Sequence, residues 1–131
     1  MKTFLSLAPI AYVGVGGMLG AICRYLLSLA GQALAISFPA GTLVSNLAGC
    51  FLIGVIMQLV FKTELPSTEM RLLLATGFCG GFTTLSSFVY ELHAYMSEHD
   101  YFLAAAYMTA TLVGAMACFY LGMLLVSAIL R

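Results

Sequence analysis

Charged residues divide this chain into long apolar runs. There is no Asp, Glu, Lys or Arg between Lys2 and Arg24, between Arg24 and Lys62, between Arg71 and Glu91, or between Asp100 and Arg131. A membrane-spanning helix needs about 20 consecutive apolar residues, so the second run holds the end of one helix, a turn and a complete second helix. Turn signals at Ser37, Phe38 and Pro39 mark that boundary, because proline ends a helix and biases its predecessor toward extended backbone. The pattern predicts an all-α membrane protein of four spans, roughly 4–31, 40–62, 69–97 and 101–130, in a single membrane domain. A secretory signal is the lesser reading of the first run. That run outlasts the apolar region of a signal peptide and continues into Arg24 and Tyr25.

Polar residues gather where the pattern puts connections. The segment KTELPSTEMR, Lys62 to Arg71, joins the second and third spans and offers Ser67 or Thr68 as a helix cap. A tight turn from Ser97 to Asp100 joins the third and fourth. With four spans, Lys2, Lys62, Arg71 and Arg131 fall on one side, while the other has at most Arg24 near the end of the first helix. Positive residues favour the cytoplasm, so the bias leans toward both termini inside.

The third run is unusual inside. From Gly77 to Phe88 it reads GFCGGFTTLSSF, placing glycines and hydroxyls in the middle of a membrane-length segment. Glycine weakens a helix interior by roughly 1 kcal/mol relative to alanine. Freed backbone groups at membrane depth are tolerated only where protein or a hydrated cavity satisfies them. This stretch predicts a broken helix at an ion or solute site.

Composition agrees with the pattern and narrows the function. Of the 131 residues, 63% are hydrophobic and 8% charged, with a mean hydropathy of +1.07, whereas roughly a quarter of a soluble domain is charged. The zero formal net charge removes any nucleic-acid reading. Cys23, Cys50, Cys79 and Cys118 all fall within the predicted spans and read as small packing residues. The chain has no CxxC pair, GxSxG elbow, P-loop or HExxH helix, so no familiar enzyme signature is present.

The candidate chemistry is a sparse set of polar residues within the spans. Gly16, Gly20 and Arg24 recur every four residues and share a face that lets another backbone come close; Arg24 reads as snorkelling to the interface or as a functional intramembrane charge. Thr42, Asn46 and Gly49 share a face of the second helix, with Ser45 beside them. Asn46 carries two donors and an acceptor that lipid cannot satisfy, so it points at a partner helix or at a pore. On the fourth helix Tyr107 and Thr111 lie one turn apart, followed by Gly114, Cys118 and Gly122 as a packing face. Glu91 follows Phe88 by three residues, on the same face, and reads first as a marker of the water interface. His93 and His99 carry no site assignment.

Three ordered motifs add a resemblance. GGMLGAICRY at Gly16 to Tyr25, PAGTLVSNLAG at Pro39 to Gly49 and GFCGGFTTLSSF at Gly77 to Phe88 make the chain similar to the CrcB/Fluc-type fluoride channels along nearly its whole length. The resemblance implies a passive, selective fluoride exit route in the inner or plasma membrane of a microbe, with two pores along the interface of an antiparallel, dual-topology dimer. It also implies a structural sodium ion at the dimer interface, held by the backbone carbonyls of Gly80 and Thr83. It assigns the fluoride pore to Asn46, Phe88, Leu85, Thr42, Ser86, Tyr107 and Thr111, and gives Arg24 and Glu91 vestibule or structural roles. Fluoride surrenders its hydration shell only where donors replace it, and hydroxyls, an amide and the positive edges of aromatic rings are such groups.

The chain departs from the family at two positions of the third motif. Where the family reads TTFSTF this chain reads TTLSSF, so Leu85 replaces an aromatic ring and Ser87 a threonine. A homodimer is the first expectation; the charge bias and Leu85 keep open a paralogous partner chain of opposite orientation. A small multidrug-type proton exporter needs a carboxylate in its first helix, and this first helix has no acid. A purely structural membrane subunit gives no reason for Asn46, the broken helix and the hydroxyls to occur together.

Overall fold

The computed structural model describes residues 7–34, 36 and 38–131. Lys2, the residues 4–6 that open the first predicted span, and Ser37 of the expected turn lie outside the described residues. Helix α1 is Leu7–Ala33, α2 is Ala40–Lys62, and α6 is Tyr101–Ile129. Between α2 and α6 runs a third span in pieces: α3, Thr68–Arg71; a π-helical segment, Leu72–Cys79; α4, Gly80–Phe82; and α5, Leu85–Ser97. Each of the four helical stretches is long and apolar enough to cross a membrane. Large apolar side chains such as Leu7, Phe102 and Ile129 cover the outside, where a soluble protein would be polar. The chain is a multi-pass membrane protein.

Caps define the helix starts. The Ser67 side chain accepts a hydrogen bond from the Met70 amide at 3.3 Å, and the Asp100 carboxylate accepts from the Leu103 amide at 3.1 Å. Each satisfies one of the orphan amides of a first helical turn. Pro39 holds the cap position of α2 without a side-chain bond. The α5–α6 connection turns at His99, whose φ of 60° lies in the left-handed region.

Lipid offers little hydrophobic drive for helix association, so packing depends on close backbone approach and hydrogen bonds. Helices α2 and α6 make the largest contact. A Cβ at Gly54 would collide with the Phe119 carbonyl, and one at Gly122 with the Phe51 carbonyl. Gln58 Nε2 donates to Ser127 Oγ at 2.8 Å across the same seam. Helix α1 packs on the π-helical segment and α4 through Gly16 and Gly20, whose Cβ atoms would strike the Leu73 and Phe78 carbonyls. The sequence places Gly16 and Gly20 on a close-approach face, and these contacts say what approaches.

The third span is broken, but not where its glycines are. Gly80 is helical, with φ −62° and ψ −38°. The chain leaves the helix at Thr83, with φ −89° and ψ 154°, and at Thr84, with φ −151° and ψ 119°. Extended backbone of this kind suits any residue and suits β-branched threonine well. The glycines instead provide room: a Cβ at Gly81 would hit the Gly17 carbonyl, and one at Gly77 would crowd Val13 and Gly16.

Candidate functional site

The break is held by one side chain. Asn46 Oδ1 accepts the Thr84 amide at 2.7 Å, and Asn46 Nδ2 donates to the Thr84 carbonyl at 3.1 Å. In a continuous helix the Thr84 amide would bond the Gly80 carbonyl; here Asn46 takes it. The amide of Asn46 thus satisfies both backbone groups of the extended residue, as membrane depth requires. One Nδ2–H remains.

Thr84 also starts α5. Its Oγ1 accepts from the Ser87 amide at 3.2 Å, capping the new helix, and lies 3.2 Å from Ser87 Oγ and 3.1 Å from Ser86 Oγ. Ser86 is exposed, and Leu85 is 72% exposed. Phe88, one turn on, is buried.

A second polar unit joins α2, α5 and α6. Thr42 Oγ1 donates to Glu91 Oε1 at 2.6 Å, and the Tyr107 hydroxyl donates to Glu91 Oε2 at 2.7 Å. Both carboxylate oxygens therefore accept a hydrogen bond. Tyr107 is fully buried, its ring enclosed by Phe38, Phe88 and Tyr95 at centroid distances of 5.2, 5.1 and 6.2 Å. Glu91 and Thr42 border a pocket of about 220 Å³ that also has Ser28 and Gln32 on its wall. Glu91 is half-buried and doubly bonded, a more specific position than a marker of the water interface.

Between these units and the α2–α6 seam lies a mostly apolar groove of about 390 Å³. Asn46, Thr83, Thr84, Leu85, Phe88 and Thr111 lie on its wall, as do Gly80, Cys50 and Cys79. Thr111 is only 6% exposed, and its Oγ1 is the one buried side-chain oxygen or nitrogen among the described residues without a hydrogen-bond partner. The fold thus brings Asn46, Leu85, Phe88 and Thr111 to one groove and Thr42, Tyr107 and Glu91 to a neighbouring network. Ser86 sits beside the groove, bonded to Thr84.

Arg24 neither snorkels freely nor points into the groove wall. Its Nε donates to the Gly81 carbonyl at 3.2 Å, a second external tie on the broken span. Gly80 is exposed, and a Cβ there would meet nothing within 4 Å. The diverted Thr84 amide leaves the Gly80 carbonyl without its helical donor. The Ser87 amide, bonded to Thr84 Oγ1, likewise leaves the Thr83 carbonyl without one. Hard oxygen donors of this kind fit a hard cation such as sodium, and the two carbonyls of one chain would supply part of the shell of such an ion.

Thr84 is the residue that sequence reasoning passed over. Its contribution is largely backbone, and the only signal is its position in TTLSSF as the hydroxyl three residues before Ser87. The groove-lining Cys50 and Cys79 were read as packing residues; they are free thiols on the wall.

Comparison with known proteins gives consistent matches. The family profile described as "CrcB-like protein, Camphor Resistance (CrcB)" matches residues 11–123. A protein of Prosthecochloris aestuarii named fluoride-specific ion channel FluC is 49% identical over 118 residues, covering 90% of this chain and 92% of the relative. One of the same name from Chlorobium phaeobacteroides is 48% identical, covering 88% and 91%. Fluoride-specific ion channel FluC 1 of Streptococcus pneumoniae is 42% identical, covering 88% and 98%. With its four spans, its broken third helix and a match over nearly its full length, this chain belongs to the CrcB family.

Proposed function

We propose that this protein is a fluoride-selective ion channel of a microbial inner or plasma membrane, exporting the anion passively down its electrochemical gradient. It is a channel and not an enzyme. The observation that carries this reading is the similarity, over about nine-tenths of the chain, to relatives named fluoride-specific ion channels. The geometry supports it. An anion needs donors without a fixed cation that would trap it, and the groove presents hydroxyls, an amide and buried rings, with no Lys or Arg among its lining residues.

The proposed route runs along the groove past Leu85, Phe88, Ser86, Thr111 and the remaining N–H of Asn46, then beside Tyr107 and Thr42. Glu91, bonded by both, orients their hydroxyls. Two antiparallel copies would close the open groove, and a sodium ion held by the Gly80 and Thr83 carbonyls would tie them together and raise the local potential for anions. A paralogous chain of opposite orientation is the alternative partner.

Fluoride efflux from liposomes containing this chain alone tests the reading, with chloride as the control and valinomycin carrying the compensating potassium. Rapid, fluoride-selective release that stalls without the ionophore is expected. Absence of release from folded protein, persisting when a paralogue is reconstituted with it, would defeat the proposal.

A further inference from the structure

Two free thiols from different elements face the same groove, and the proposed anion route uses neither. Cys50 of α2 and Cys79 of the π-helical segment both line it. The registers of the packed helices bring the two level. Asn46 meets Thr84, and a Cβ at Gly49 would reach Thr83 and Phe82, so α2 and the third span run antiparallel. The next residue along α2 is Cys50, and Cys79 lies three residues before Phe82, within one helical turn. Cys50 is half-buried and Cys79 is buried.

A third thiol lies behind the pair. Helices α2 and α6 run parallel: a Cβ at Gly114 would reach Leu47, and one at Gly122 would strike the Phe51 carbonyl. Cys118, midway between those glycines, is therefore level with Cys50 at the α2–α6 seam, but it does not line the groove. Among the described residues no three His, Cys, Asp or Glu side chains are grouped to hold a metal ion. That arrangement does not make the four-ligand shell of a structural zinc. Two thiols on a mostly apolar wall instead suit a soft cation that is content with two sulfur ligands, and soft sulfur ligands select copper(I). Silver(I) has the same charge and the same filled d shell without copper's redox chemistry.

We infer that Cys50 and Cys79 form a site for a soft monovalent metal cation of the copper(I) and silver(I) class, and that filling it hinders fluoride in the groove. Each sulfur binds as thiolate. Two S–H bonds break, two sulfur–metal bonds form, two protons pass to water and no electron is transferred. A single positive ion on two thiolates leaves a net negative charge on the wall, which repels an anion alongside. The binding half of the inference stands independently of the channel reading, and the hindrance rests on that reading.

Silver nitrate is the probe, in chloride-free buffer because silver chloride is insoluble. Native mass spectrometry of detergent-solubilised protein titrates its binding, circular dichroism checks the helices, and fluoride efflux is measured from liposomes prepared with and without silver. Wild type is expected to hold a single silver ion tightly per chain and to release fluoride more slowly when silver is bound. Losing an outer-shell partner of a metal already costs about 10- to 100-fold in affinity. Cys50→Ala and Cys79→Ala each delete a ligand and should weaken binding by about 100-fold or more, whereas Cys23→Ala and Cys118→Ala should leave it unchanged. Binding that survives both ligand substitutions overturns the site, and so does binding that needs Cys118 in place of Cys79. If Cys79→Ala fails to fold, silver X-ray absorption on wild type decides: a shell of two sulfurs, lost in Cys50→Ala, upholds the pair, and any other shell refutes it. Efflux undiminished while silver is bound overturns the hindrance. Wild type that binds silver through both cysteines yet releases no fluoride without silver, alone or with a paralogue, upholds the site and defeats the channel reading and the hindrance with it.

Discussion

Asn46 and Thr84 are 38 positions apart in the chain, yet a pair of hydrogen bonds makes them one structural unit. Asparagine suits this place because it presents a donor and an acceptor side by side, matching the carbonyl and amide of one extended residue. Aspartate cannot donate to the Thr84 carbonyl, and it adds a fixed negative charge beside the groove. Asn46→Asp is therefore expected to lose fluoride flux while the helices still form, read by liposome efflux and circular dichroism; flux equal to wild type would remove Asn46 from the route and from the clamp together. Asn46→Ala leaves both Thr84 groups unpaired, and at about 1 kcal/mol net for each bond it should destabilise the fold by about 2 kcal/mol in a denaturation titration. The spacing of Thr42, Asn46 and Gly49 made the polar face of α2 legible. It left partner helix and pore open as destinations for Asn46, because the choice depends on a backbone distortion in another helix.

At the scale of elements, charge-free runs and turn residues located the helices, since membrane length and missing charges act locally. The anatomy of the third span was less accessible. Glycines and hydroxyls from Gly77 to Phe88 announced a break, but its position at Thr83–Thr84 is fixed by Asn46 on α2, with Arg24 on α1 tied to the neighbouring Gly81. The π-helical turns of Leu72–Cys79 have no signature in composition. Gly77 and Gly81 serve contact with α1 rather than backbone freedom. Gly16→Ala should accordingly drive a methyl into the Leu73 carbonyl and destabilise the protein by about 1–3 kcal/mol, as overpacking does. Gly14→Ala, with nothing within 4 Å of its Cβ, should be neutral or slightly stabilising through helix propensity. Unfolding in a denaturing detergent series measures both, and equal effects would show that α1 does not dock through its glycine face.

For the whole molecule, the exposed Gly80 and the open groove pose the same question of what covers them. Gly80 has space for a Cβ within its own chain, so Gly80→Ala should leave the isolated subunit folded. In the proposed assembly the same methyl lies beside the sodium-binding carbonyls, where a second backbone must come close. Wild-type protein is therefore expected to lose dimer stability when sodium is exchanged for a large organic cation, and Gly80→Ala to show a weaker dimer with little response to sodium. Mass photometry or cross-linking in matched buffers gives the oligomeric state, and circular dichroism separates dissociation from unfolding. Identical sodium dependence in the two proteins would move the cation away from Gly80, and a wild-type dimer indifferent to prolonged sodium removal would take the ion out of the assembly. Orientation enters the same experiment. Arg24 lies nine residues before the end of α1 and is engaged with Gly81, so it contributes little as a loop charge, and the remaining described cations, Lys62, Arg71 and Arg131, fall on one side of a four-span chain. Such a bias opposes insertion in both directions. A C-terminal reporter found on both faces of the membrane would support pairing of identical chains, whereas a single orientation would require the opposing half of the channel to come from a paralogue.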